Sequence, residues 1–458
     1  MKTMRRFVYS FLIVLAVLFP VSNNTAFAQS IIRDAETEWF LRKISNPFFE
    51  AAGLSPSAVH IYIIYDDSIN AFATRGQIMG IHTGMIQAVD NLNELQGVIA
   101  HETGHIAGGH IVRIGEGSAP AIGIMIASLL IGIGAAAAGS SDGAIGAILG
   151  GQSMAQRSFL KYSRVQESRA DQAAITYLNA TQTSGEGLIT FFQKLRSTIF
   201  VKYGNLNPYN QTHPLGTERV LNIQERIQES PYYGKPNSDE DVYWFRRIQA
   251  KLDGYLNDPR VTFAKYPLSD TSLFARYARV YAYQKALEFD KSVAEAQSLI
   301  DDYPQDPFFY EIAGQVLLET DRVEESLPYL RKAAELHPRE SLILTMLGHA
   351  LVALERPETD QEAIEILQRS VFFDPNNDMA WRQLSVVYAR TGQDNLANLA
   401  TAEMFALHAR YPAAIQRATM AIRTFPEGSR EWLQANDVIL TAQAMMDRDP
   451  RFKNGKRR

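Results

Sequence analysis

The chain has 458 residues, 46% of them apolar and none of them cysteine, with a formal net charge of −5. That length suits two or three domains with substantial cores. The lack of cysteine excludes disulfides, thiolate metal sites, cysteine nucleophiles and thiol-linked lipids, and the mild acidity argues against a nucleic-acid binder.

In chain order, the N-terminus reads as a secretory signal. Lys2, Arg5 and Arg6 open it, Phe7 to Val21 form an apolar core, and Ala26-Phe27-Ala28 supply a small-x-small cleavage site. The apolar core is too short for an ordinary membrane span. Residues 1–28 are therefore assigned to a signal peptide, and loss of its three basic residues takes the formal charge from −5 to −8. The mature chain is expected outside the cytoplasm, where a cysteine-free protein is indifferent to oxidising conditions.

Val59 to Tyr65 reads as a strand. Asn70 to Thr74 and Ile78 to His82 read as shorter strands around Arg75-Gly76, and Met85 to Val89 starts a helix. Leu92 to Ile111 reads as a further helix, with Asn91 or Asn93 as its cap and Glu94 in its first turn. That helix carries His101-Glu102-Thr103-Gly104-His105, an H-E-x-x-H motif. Residues four apart on a helix lie one above the other. His101 and His105 can thus aim at one metal ion, while Glu102, one position round, can reach a water beside it. Two nitrogen donors, an open position and a carboxylate base are the parts of metal-assisted peptide hydrolysis.

Two histidines do not complete such a site. His110 falls one residue short of the H-E-x-x-H-x-x-G-x-x-H spacing, where Ile111 stands instead. It is expected to point away from His105 and to serve structure. Glu167, within Arg164 to Asp171, is the better third donor, on a helix running to about Asn179. Glu167 and Asp171 are four apart and share a face. On spacing alone, either Glu167 binds the metal while Asp171 accepts a hydrogen bond from a ligand imidazole, or both are surface acids paired with Arg164 and Arg169.

Between the two motif helices lies an almost uncharged stretch, residues 118–156, rich in Gly and Ala. Three readings compete: a lid or membrane-contacting hairpin beside the cleft, a buried segment, or a transmembrane hairpin. As a helix, residues 121–138 would reach about 27 Å, borderline for a span.

Gly234 to Asp241 has loop composition and opens a bridge assigned to 236–270. Residues 271–447 are internally repetitive. A 34-residue frame with Gly at position 8, Ala at 20 and 27 and Pro at 32 describes tetratricopeptide repeats. Pro307 onwards supplies Gly314, Ala333 and Pro338; Ser341 onwards supplies Gly348, then Ala363 and Pro375 after an insertion near Pro357. Asp378 onwards supplies Trp381, Leu384 and Tyr388, and a last unit with Ala414, Ala421 and Pro426 is displaced by half a repeat. A weaker unit ends at Pro304. Phe308, Phe309, Tyr310 and Trp381 belong either to the core or to a concave binding face. A basic tail, 448–458, closes the chain.

Asn70-Ala71-Phe72-Ala73, the H-E-x-x-H helix, Glu167-x-x-x-Asp171 and His213-Pro214 with Arg219 together resemble the HtpX and CAAX-protease type of zinc metallopeptidase. The signal peptide and repeats are similar to its periplasmic BepA-like branch, and the resemblance covers nearly the whole mature chain. It implies a mainly α fold: an α+β zincin-type metalloprotease domain (29–235), helical with a small sheet, followed by a tetratricopeptide solenoid. It implies one zinc ion per subunit on His101, His105 and Glu167, with Glu102 as general base and Asp171 grouped with it as catalytic. His213 becomes a removable fourth donor or an oxyanion contact, and Asn70, Ala71 and Phe72 become an edge strand for extended substrates. The implied function is a periplasmic metalloendopeptidase, able to associate with the outer membrane, that degrades unfolded or stalled outer-membrane proteins. Its repeats would dock those clients or the β-barrel assembly machinery. The alternative is a non-proteolytic chaperone or adaptor whose zinc site is held shut.

Overall fold

The computed structural model describes residues 31–110, Met154, 163–196, Tyr209, 213–448 and Phe452. The assigned signal peptide, nearly all of 118–156 and most of the basic tail lie outside the described residues. Among the described residues, no helix is long and apolar enough to cross a membrane.

Four strands form one sheet in the order β1-β2-β4-β3: β1 (Ile31–Ile32), β2 (His60–Ile64), β3 (Ala71–Thr74) and β4 (Ile78–His82). β2 runs parallel to β4, while β1 pairs antiparallel with β2 and β3 antiparallel with β4. The β3–β4 turn places Gly76 and Gln77 at φ 84° and 55°, the left-handed pair that suits the twist of a tight hairpin. β3 is left at the edge of the sheet.

Around the sheet pack α1 (Ala35–Ala51), α2 (Thr83–Ala88), α3 (Leu92–Ala107), α4 (163–180), α5 (Glu186–Lys194) and α6 (Thr217–Gln228). One core joins Phe40, Phe48 and Phe49 of α1, Ile63, Met79 and Ile81 of the sheet, Val98 and Ile99 of α3, and Phe191 and Phe192 of α5. α3 starts where Asn91 accepts from the Glu94 N–H at 3.0 Å, and Glu94 accepts in turn from the Asp90 N–H at 3.0 Å. That reciprocal capping satisfies two helix-end donors and fixes where the motif helix begins.

The bridge is helical beyond its opening loop. α7 (Asp239–Leu256) is capped by Ser238 and carries three acids in its first turn, which suits the positive end of a helix. Its Phe245, Ile248 and Leu252 complete the first core. α7 thus packs on both sides, against α1, α2 and α3 and against the helix Leu273–Lys285. α8 (Pro259–Lys265) follows.

The repeats pair as α9 (Leu273–Lys285) with α10 (Phe289–Asp302), α11 (Pro307–Glu319) with α12 (Val323–Leu336), and α13 (Ser341–Ala353) with α14 (Pro357–Phe373). Then come α15 (Asp378–Arg390), α16 (Asp394–Leu407), α17 (Tyr411–Ile422) and α18 (Arg430–Arg448). Each packs on its successor, and α13 also touches α11 and α15. Left-handed residues break the helix pairs at Leu287, Asp321 and Glu355, then at Gly392 and Ala409. The first three are one full repeat apart and the last two half a repeat apart, so the register slips at α16. At the position-8 glycines the helices touch: a Cβ on Gly314 would lie 2.5 Å from Leu330, and one on Gly348 2.4 Å from Leu367. Phe308, Phe309 and Trp381 are buried and belong to the core.

A buried charge network joins the two parts. Glu36 of α1 meets Arg247 and Lys251 of α7 and accepts from the Tyr277 hydroxyl at 2.5 Å. Arg247 also holds Asp306 at the start of α11, and Lys251 holds Asp34 at 2.5 Å. Arg247 and Glu36 are fully buried, so each charge depends on its partners.

Candidate metal centre

α3 and α4 cross closely at Gly104. A Cβ there would stand 2.8 Å from the backbone oxygen of Ala170. Only glycine lets α4 come near enough for Glu167 to reach the imidazoles of His101 and His105. Gly104, inside the H-E-x-x-H spacer, thus matters for the crossing, not for ligation.

Four donors converge: His101, His105, Glu167 and His213, their ligand atoms all within 4.8 Å of one another and all four residues buried. The Nε2 atoms of His101 and His105 are 3.1 Å apart. Glu167 lies 3.3 Å from His105 Nε2 and 3.5 Å from His101 Nε2. His213 Nδ1 lies 3.1 Å from Glu167 and 3.3 Å from His101 Nε2. Tetrahedral zinc, with bonds of about 2.0–2.1 Å, needs neighbouring donors about 3.3 Å apart. The spacings of 3.1–3.5 Å among His101, His105 and Glu167 suit a single ion of that size.

Glu102 is fully buried beside the cluster, 3.4 Å from His213 Nε2. His213 thus presents one nitrogen to the cluster and the other to Glu102. Tyr209 backs its ring at 4.6 Å between centroids.

Asp171 stands behind the cluster. One oxygen is 3.0 Å from His101 Nδ1, and Arg219 binds both oxygens at 2.6 and 2.7 Å. Arg219 also reaches Glu167 at 2.9 Å. Asp171 thus lies between His101 and Arg219, behind the donor cluster. Arg219, known from the sequence only as part of a resemblance, ties donor to support. His110 is placed differently from its expectation: its Nδ1 meets His105 Nδ1 at 3.0 Å. The helix end folds it back over the site.

Asn70, Ala71 and Phe72 lie at the start of the edge strand, which packs on α3. The Asn70 side chain is buried and its backbone carbonyl accepts from the His82 N–H at 3.0 Å. The Phe72 ring covers Gly80.

Burial pushes the Glu102 carboxyl up, against the pull of His105 and His101. Burial opposes ionisation of Glu167 and Asp171 too. The charge of His213 and hydrogen bonds from the imidazoles nevertheless hold Glu167 far below the carboxylate range, and Arg219 lowers Asp171. Burial also lowers His105, and it lowers His110 to about 4.

A helical domain on a small sheet, with an H-E-x-x-H helix facing a glutamate from a second helix, defines a metalloprotease. Residues 34–227 match the profile of Peptidase family M48, so the chain carries a metalloprotease domain of that type. It is similar to the beta-barrel assembly-enhancing protease of Escherichia coli (strain K12), 24% identical over 87% of this chain and 81% of the relative. A Vibrio cholerae serotype O1 protein provisionally given the same name is 26% identical over 88% of this chain and 83% of its own length. Metalloprotease YcaL of Escherichia coli (strain K12) is 28% identical over 41% of this chain and 68% of its own.

Proposed function

We propose that the protein is a zinc-dependent metalloendopeptidase of the periplasm, working in outer-membrane protein assembly and quality control. The observation that carries this reading is the convergence of four buried donors with Glu102 against them. His101, His105 and Glu167 hold one zinc ion per subunit, and His213 is a removable fourth donor. When bound, zinc supplies Lewis-acid polarisation of the scissile carbonyl and an acidified water. Glu102 takes the proton of the attacking water and returns one to the leaving amine, a role suited to a carboxyl raised by burial. Asp171 and Arg219 keep His101 and Glu167 oriented. Once withdrawn, His213 is available to donate to the oxyanion.

An extended substrate adds to β3 at Asn70, Ala71 and Phe72 through backbone hydrogen bonds, which favours unfolded segments over any one sequence. The clients are unfolded or stalled outer-membrane proteins, in line with the names of the relatives. The repeats dock a client or the β-barrel assembly machinery, and tethering raises its concentration at the cleft. In this reading residues 1–28 are a signal peptide, 29–235 the protease domain and 271–447 the repeat domain.

The test pairs metal analysis of the mature protein with casein digestion. Glu102→Gln should retain zinc and lose about 10²–10⁴-fold in turnover. Turnover that survives the substitution would overturn the reading. A chaperone or adaptor is the second reading, favoured by the position of His213 against both the donor cluster and Glu102. Client assembly that persists in Glu102→Gln supports it.

A further inference from the structure

We propose that His110 is a positioning residue that fixes His105 in its metal-binding tautomer. The inference rests on the zinc reading above.

His101 and His105 both turn Nε2 towards the donor cluster, so each must carry its hydrogen on Nδ1. Asp171 stands 3.0 Å behind Nδ1 of His101. The group behind Nδ1 of His105 is Nδ1 of His110, also at 3.0 Å. With His105 donating, His110 accepts at Nδ1 and carries its own hydrogen on Nε2. A ligand imidazole ordinarily donates in this way to a carboxylate, carbonyl or water; here a second imidazole takes that place.

The backbone is built to put it there. α3 closes with the N–H of His110 donating to the His105 carbonyl at 3.2 Å and the N–H of Gly109 donating to the Ile106 carbonyl at 3.1 Å. Gly109 takes φ +61°. These are the two bonds and the left-handed residue of a Schellman closure. That closure places the side chain after the glycine over the residue five positions back, where an apolar contact is usual. In this chain the contact is His110 on His105, both buried. Gly108 completes the fit, because a Cβ on it would fall 2.4 Å from His110 Nε2. Gly108-Gly109-His110 thus forms a unit that delivers an acceptor to a ligand five residues away. None of the three touches the donor cluster's centre.

The experiment measures zinc dissociation constants by chelator competition, with circular dichroism to verify folding. His110→Phe keeps a ring but removes the acceptor, and should weaken zinc by about 10–100-fold. His110→Asn offers an oxygen in place of Nδ1 and should recover most of that loss. Gly108→Ala should weaken zinc alone but add little to His110→Phe, since both break one contact. Equal weakening of zinc by His110→Phe and His110→Asn, or an effect of Gly108→Ala that adds fully, would overturn the role. Wild-type affinity in His110→Phe would overturn it too, leaving the zinc reading intact. A parent protein that binds no zinc would instead sink the zinc reading itself.

Discussion

Gly104→Ala should loosen the metal centre without altering a donor. The added Cβ would fall 2.8 Å from the Ala170 carbonyl oxygen, 3.0 Å from its Cα and 3.2 Å from the Ala173 Cβ. Two of these atoms are backbone and cannot rotate away. α4 must retreat by about 0.5 Å to restore ordinary contact. Glu167 rides on α4, one turn before Ala170, while both motif imidazoles ride on α3. Metal–donor distances tolerate only about 0.2 Å, so the retreat strains coordination as well as packing. Overpacking should cost about 1–3 kcal/mol in the metal-free protein. Zinc affinity should fall by about tenfold or more, as when a ligand loses its support. Thermal unfolding with and without zinc separates the two effects. Because ligand stabilisation grows with concentration over Kd, the gap between parent and variant should widen when zinc is added. An equal gap in both conditions, together with unchanged zinc affinity, would refute the reasoning.

His213→Ala should raise basal casein digestion by roughly the reciprocal of the fraction of molecules already open; unchanged or abolished digestion counts against the switch. Glu36→Gln leaves Arg247 with Asp306 and Lys251 with Asp34 but removes one buried charge partner from each, and should cost about 1.5–3 kcal/mol, read as a lowered denaturant midpoint. A midpoint equal to the parent's would show that the network is dispensable. Burial raises Glu340 to about 7 in the folded protein, against an ordinary value of 4.5. The unfolded chain therefore ionises first, and stability is lost as pH rises from about 4.5 to about 7. Glu340→Gln keeps an oxygen for the Leu342 N–H and should gain roughly 1–2 kcal/mol at pH 8 but little at pH 4. Melting curves at the two pH values check this, and an advantage that is the same at both would contradict it.

Several features were legible in the amino-acid order because they are local. A histidine pair four apart lands on one helix face whatever surrounds it. The β2, β3 and β4 segments and the 34-residue repeat announce themselves by pattern, and even the half-repeat slip at α16 shows in the spacing of Ala414, Ala421 and Pro426. The pattern predicts the motif helix to Ile111, but it ends at Ala107 because Gly108-Gly109 closes it. Other features were not legible. α1 contains Ser45-Asn46-Pro47, a breaker by composition, and is helical because Phe40, Phe48 and Phe49 are buried against the sheet. α7 follows a loop signal, but its apolar face belongs to a core laid down mostly by the preceding domain.

Sequence by itself determined the chemistry on offer: two imidazoles at helical spacing, an adjacent carboxylate and a repeat array downstream. Tertiary structure decided which distant groups join them. Arg219 meets Asp171 across 48 positions, and His213 meets His101 across 112. Backbone geometry sets neighbours within a turn or two of helix, so local order suffices there. Meetings over such separations depend on how whole helices pack, down to the missing side chain of Gly104, and local pattern does not encode that.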